Sequence, residues 1–133
     1  MKIDGRCHCG AITYEAEIDP AKVLICHCTD CQSLSGSAFR VNVPSEGDSF
    51  RFVTGQPKIY VKTAESGNRR EQAFCPDCGS AIYASGVGGA SPLSIRVGTI
   101  RQRDQLIPRK QVWCRSAQPW LPDLDAVARH DRG

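Results

Sequence analysis

A chain of 133 residues, 41% of them hydrophobic, fits one domain of ordinary globular composition, with a core modest enough to gain from metal cross-links. Its longest aliphatic run, Val23-Leu24-Ile25, is too short to span a bilayer, and Met1-Lys2-Ile3-Asp4-Gly5 has no signal-type apolar stretch, so a cytoplasmic location without membrane contact is expected. The formal charge of +3 counts all eight thiols as neutral; it falls if several of them are ionised, so the basic excess makes no case for nucleic-acid binding.

Short strands are predicted along most of the chain. From Ala11 to Ile18 the sequence alternates, with Ile12, Tyr14, Ala16 and Ile18 on one face and Thr13, Glu15 and Glu17 on the other. Lys22 to Cys26 is a brief apolar run. Helix is expected to be scarce, with one turn after Thr29-Asp30 that stops near Gly36. Strands then follow at Ala38–Val43, Phe50–Val53, Lys58–Lys62, Gln72–Cys75, Ala81–Ala84, Leu93–Gly98 and Gln111–Cys114. Turn signals separate them, at Asp19-Pro20, Pro44–Gly47, Gly55–Pro57, Ser66-Gly67-Asn68 and Gly86–Gly89. Such spacing predicts a mainly β domain over residues 1–122. Residues 123–133 read as a tail, with a short helix over Asp123–Arg129 and a polar, fraying end.

The cysteines fall in three groups where strands meet turns. Cys7-His8-Cys9-Gly10 is a C-x-C pair, Cys26-His27-Cys28-Thr29-Asp30-Cys31 is C-x-C-x-x-C, and Cys75-Pro76-Asp77-Cys78-Gly79 is C-x-x-C-G. Cytosolic thiols stay reduced, so these read as metal ligands or reactive thiols before disulfides. A C-x-x-C turn converges two sulfurs on one point, and an extended C-x-C projects both side chains to one side of the strand. Soft thiolates select zinc over magnesium or calcium, and two separated pairs do not match the usual iron–sulfur spacings. Seven thiols then divide as four and three. Cys7, Cys9, Cys75 and Cys78 can close a four-sulfur structural site, where metal affinity becomes folding energy. Cys26, Cys28 and Cys31 offer only three sulfurs, and zinc with three protein ligands keeps a position for water or substrate. The alternative is a closed trio, with Cys114 or a histidine as fourth ligand. His8 and His27 point away from the sulfurs that flank them, so both are expected at the surface or behind the ligands. Cys114 reads as a small buried hydrophobe on a strand. Ligand count favours the open trio.

Taken together, Cys7-x-Cys9-Gly10 with Ile12 and Tyr14, Cys26-x-Cys28-x-x-Cys31 with Gly36 and Phe39, and Phe74-Cys75-x-x-Cys78-Gly79-Ser80 resemble the glutathione-dependent formaldehyde-activating enzyme family, which includes the centromere protein V domain. The resemblance spans about residues 3–120. It implies a β-tent fold of small antiparallel sheets around a structural zinc, with Cys7, Cys9, Cys75 and Cys78 holding that ion. It implies a catalytic zinc on Cys26, Cys28 and Cys31, hence two zinc ions per chain. The implied activity is a carbon–sulfur lyase reaction, formation of S-hydroxymethylglutathione from glutathione and formaldehyde or a related thiol–aldehyde reaction. Glutathione and an aldehyde would be the partners, with the thiol activated at the open metal position.

Nothing in the sequence fixes a glutathione site. Arg40, Arg69, Arg70 and Arg96 could meet its carboxylates, although a solvated strand or loop charge is the expectation for each. Gly36 is expected to serve a turn beside the trio. Phe39, Trp113 and Trp120 could wall a pocket, with core packing the default. Two other functions compete. A methionine sulfoxide reductase-like enzyme would need Cys114 as nucleophile and would leave the trio idle. A non-enzymatic glutathione carrier or zinc interaction module needs no reaction, and as a nucleic-acid binder it would have only Arg101, Arg103, Arg109 and Lys110, interrupted by Asp104.

Overall fold

The computed structural model describes residues 1–133 and is mainly β, with ten strands and one short α-helix. Strands β1 (Lys2–Arg6), β2 (Thr13–Glu17) and β5 (Arg51–Thr54) form an antiparallel three-stranded sheet in the order β1-β2-β5. A second sheet of seven strands runs β10-β3-β4-β9-β8-β7-β6. Its members are β3 (Leu24–Cys26), β4 (Arg40–Pro44), β6 (Lys58–Thr63), β7 (Arg69–Phe74), β8 (Ala81–Gly86), β9 (Ala90–Arg96) and β10 (Lys110–Val112). All pairs in it are antiparallel except β10 with β3, where Lys110, Gln111 and Val112 lie parallel to Leu24, Ile25 and Cys26. Helix α1 (Thr29–Ser35) follows β3 directly and stops at Gly36, whose positive φ of 64° suits a residue without a side chain. No helix is long and apolar enough to cross a membrane.

The core lies between the sheets. The alternation over residues 12–18 is realised, with Ile12, Tyr14, Ala16 and Ile18 all buried. From the larger sheet, Val43, Ala73, Tyr83, Leu93 and Ile95 join the same cluster. Phe50 ties the sheets together, stacked on Tyr14 at 5.0 Å and edge-on to Tyr83 at 5.2 Å. Tyr14 also donates to or accepts from the Thr99 hydroxyl at 2.8 Å. Strand β1 was not anticipated, because Lys2-Ile3-Asp4-Gly5-Arg6 holds few β-formers. Its place is set by Ile3, which is buried, and by Gly5, where a Cβ would overlap the Tyr14 ring.

Other expectations are corrected. The tail helix over Asp123–Arg129 is absent; residues Leu121–Ala126 form 3-10 turns broken at Asp123, since Pro122 and the short polar sequence give an α-helix no buried face. The last predicted strand ends at Val112, and Trp113 adopts a left-handed backbone (φ 56°, ψ 38°) that turns Cys114–Ser116 into a 3-10 helix. Cys114 is exposed there, not buried. Trp113 and Trp120 also lie at the surface, 44% and 50% exposed, so neither packs in the core.

Candidate metal centres

Two cysteine pairs converge at the junction of the two sheets. Cys7 and Cys9 leave the end of β1, and Cys75 and Cys78 occupy the β7–β8 turn. Their four sulfurs lie within 4.8 Å of one another. Cys7 and Cys9 are 3.6 Å apart and Cys9 and Cys75 are 3.8 Å apart. Thiolates at about 2.3 Å from a tetrahedral ion sit about 3.8 Å from each other, so the donor set fits zinc. The supporting shell is built from backbone. The Ile12 amide donates to the Cys7 sulfur at 3.2 Å, and Gly79, with φ 78°, closes a turn by donating to the Cys75 carbonyl at 2.8 Å. Ser80 joins the two halves: its hydroxyl accepts from the His8 amide at 3.0 Å and lies 3.3 Å from the Cys78 sulfur.

The second group forms where β3 runs into α1. Cys26 ends the strand, Cys28 caps the helix and Cys31 sits in its first turn. The Cys28 sulfur accepts the Cys31 amide at 3.2 Å, so one side chain is both helix cap and candidate ligand. The sulfurs of Cys26, Cys28 and Cys31 lie within 4.8 Å of one another, and no His, Asp, Glu or further Cys joins them. The thiols share protons: Cys31 hydrogen-bonds Cys26 and holds it down to about 5, while Cys31 itself is pushed far up by Cys26. Three sulfurs this close together form a soft donor set that suits zinc once deprotonated.

His27 lies 3% exposed behind the trio and is not a ligand. Its Nε2 meets Gln111 Oε1 at 2.7 Å, and its ring stands edge-on to Phe39 at 5.7 Å. His8 is exposed. Gln32 of α1 is the clamp that sequence reasoning missed. Its Nε2 donates to the carbonyls of His27 and Ser116 at 2.8 and 2.9 Å, and its Oε1 accepts from Gln118 at 2.7 Å. The segment after β10 is thereby tied across the helix. A cavity of 510 Å³ opens beside Cys28, walled by Trp113, Ser116, Thr63 and Ala64. Lys62 faces it, fixed by Asp30 at 2.8 Å. The left-handed Trp113 that walls this cavity is the one non-glycine residue with a positive φ.

The arginines divide. Arg69 is exposed and Arg70 half-buried, but Arg40 and Arg96 are only 6% and 8% exposed, which corrects their reading as solvated charges. Strand pairing explains it: Arg40 lies opposite Cys26, and Arg96 lies opposite Asn42. Burial pushes Arg96 down to about 9, with the Arg40 charge adding to the effect.

The solved structure of a Rhodobacter sphaeroides protein superposes with a TM-score of 0.62 at 20% identity, covering 82% of this chain and 99% of that one; it bears on the fold alone. An uncharacterized lyase of Schizosaccharomyces pombe is 28% identical over 92 residues, 69% of this chain and 64% of the yeast protein. A protein of Halomonas elongata, assigned by name to the glutathione-dependent formaldehyde-activating enzymes, is 27% identical over 88 residues, 62% of this chain and 55% of its own length. The matched region thus spans less than two thirds of each curated relative. The family profile described as glutathione-dependent formaldehyde-activating enzyme matches residues 2–116, which contain both cysteine groups. The chain belongs to the glutathione-dependent formaldehyde-activating enzyme family.

Proposed function

We propose that the chain is a zinc-dependent carbon–sulfur lyase that joins a thiol to an aldehyde, with S-hydroxymethylglutathione formation or a closely related reaction as its activity. One observation carries the reading: three sulfurs converge with no fourth protein ligand among them, and one of their residues, Cys28, lines a 510 Å³ cavity. Family membership and the names of the two curated relatives support the reaction class.

Cys26, Cys28 and Cys31 would hold a zinc ion as thiolates. When bound, that ion lowers the pKa of a thiol that joins it, from about 8.5 towards neutrality. The chain's own residues do the rest. Trp113 and Ala64 wall the cavity and limit water. Lys62, paired with Asp30 on the cavity wall, offers N–H donors to a bound thiol compound, while Asp30 and Glu65 line the same cavity. Gln32 keeps Ser116 and Gln118 against the helix and so keeps the wall in place. In the reaction the thiol sulfur forms a bond to the carbonyl carbon, the carbonyl π pair moves to oxygen, and the thiol's proton ends on that oxygen. Cys7, Cys9, Cys75 and Cys78 take no part except as scaffold.

The test is adduct formation from glutathione and 13C-formaldehyde, followed by NMR against the uncatalysed rate. A rate above background that disappears in Cys28→Ser supports the proposal. No rate gain by protein carrying both metals, together with an unchanged zinc-edge absorption spectrum on adding glutathione, overturns it.

A further inference from the structure

Arg40 and Arg96 bring two positive charges under the surface with no acid to meet them. Arg40 Nη1 and Arg96 Nη2 share a single neutral acceptor, Gln72 Oε1, at 3.4 and 2.8 Å. Arg96 Nη1 takes Asn42 Oδ1 at 2.5 Å. Arg40 Nε, Arg40 Nη2 and Arg96 Nε are buried without any partner. Orphaned guanidinium donors of this kind are expensive, and charged pairs left uncompensated more so. The trio cannot balance them alone: three thiolates around one dication carry a single net negative charge against two positive ones.

Both side chains line a second cavity, of 410 Å³, which Leu34 of α1 also borders. Its lining includes a third cation, Lys58, and no carboxylate. The remaining walls are largely apolar, with Leu34, Ile59, Tyr60 and Phe74. Tyr60 and Ile59 are exposed on the edge strand β6, so the cavity communicates with solvent. A site with buried fork-shaped donors at one end and aromatic and aliphatic walls at the other selects a planar anion with an apolar body.

We propose that Arg40, Arg96 and Gln72 form a carboxylate-binding subsite for a small organic acid whose apolar body rests on Ile59, Tyr60 and Phe74. The subsite stands independently of the lyase reading, because it requires no turnover. A carboxylate seated against the two guanidinium groups neutralises the charge left over beside the trio and adds an acceptor to the one oxygen, Gln72 Oε1, that they share.

Calorimetric titration of the metal-loaded protein tests this with benzoate, its neutral shape match benzamide, and inorganic phosphate. Benzoate is expected to bind at least about tenfold more tightly than benzamide, the difference a charge-assisted hydrogen bond makes. Arg40→Gln and Arg96→Gln are each expected to weaken benzoate by about tenfold or more while zinc content stays unchanged. If either variant fails to fold, 15N NMR of the wild type decides: benzoate must shift the Nε–H signals of Arg40 and Arg96. Benzoate binding no better than benzamide, phosphate binding better than benzoate, or guanidinium signals that ignore benzoate would overturn the proposal. So would arginine variants that lose the trio's zinc and keep benzoate, since the pair would then serve only to neutralise the thiolates.

Discussion

The quartet and the trio use the same ligand atom and hold it in opposite ways. Cys9 and Cys75 are 66 residues apart, so metal binding at the quartet closes a long loop and joins the ends of two sheets. Cys26, Cys28 and Cys31 lie within one strand–helix junction that the backbone already organises. Loop-closure entropy is large for the first and small for the second. The quartet is also complete, whereas the trio lacks a fourth protein donor and faces a cavity. Coordination number and chain separation together are the grounds on which the quartet is proposed as scaffold and the trio as reaction centre.

The largest effect should come from breaking the quartet. Cys78→Ser is expected to abolish the cooperative thermal transition, because structural zinc supplies on the order of 10 kcal/mol to small domains; a sharp melt near the wild-type temperature would show that the quartet is dispensable. Next is Gln32→Ala. It removes hydrogen bonds to two carbonyls and to Gln118, so a destabilisation of roughly 1–3 kcal/mol is expected in denaturant titration. Thiol saturation should worsen more than zinc content, and a variant that loses zinc first would recast Gln32 as a support of the trio itself.

Cys28→Ser sharpens the contrast further. Serine preserves the helix cap that the Cys28 sulfur provides, so stability should change by less than about 1 kcal/mol while one zinc per chain and the adduct-forming activity disappear. Matching losses of stability in Cys28→Ser and Cys78→Ser would erase the distinction between the sites. The smallest effect concerns Asp4 on β1, remote from the trio. Arg101 and Gln102 hydrogen-bond its carboxylate and hold its pKa below the usual range. A depressed folded pKa stabilises the ionised fold above the unfolded value near 3.8, and that contribution is lost as pH falls through the lower folded value. Asp4→Asn should therefore flatten the stability profile below about pH 4, with zinc-site behaviour at neutral pH unchanged. An unaltered acid limb would mean that the Asp4–Arg101 pair is broken in solution.

Local patterns in the sequence carry much of this. Period-two alternation marks residues 12–18, and cysteine spacing groups all seven sulfurs as the coordinates do. What escapes is whatever depends on non-local pairing. Arg40 and Arg96 look solvated until β3, β4 and β9 come together and place them opposite Cys26 and Asn42. Strand β1 is nearly invisible because its defining residue is a glycine, Gly5, that makes room for the ring of Tyr14 in the next strand. Trp113 could not be assigned to the surface from its apolar character, since its backbone turn reverses the direction a strand would have given it.

The parallel pairing of β10 with β3 has a temporal side. During synthesis every one of the seven sulfurs has been made once residue 78 is added, yet the outer neighbour of the Cys26 strand is not complete until residue 112. Ser116 and Gln118, which meet Gln32, come later still. A nascent chain thus contains every sulfur of both groups well before the segment that roofs the trio, so any ion taken up at Cys26, Cys28 and Cys31 would lack that cover until the last fifth of the polypeptide is being made.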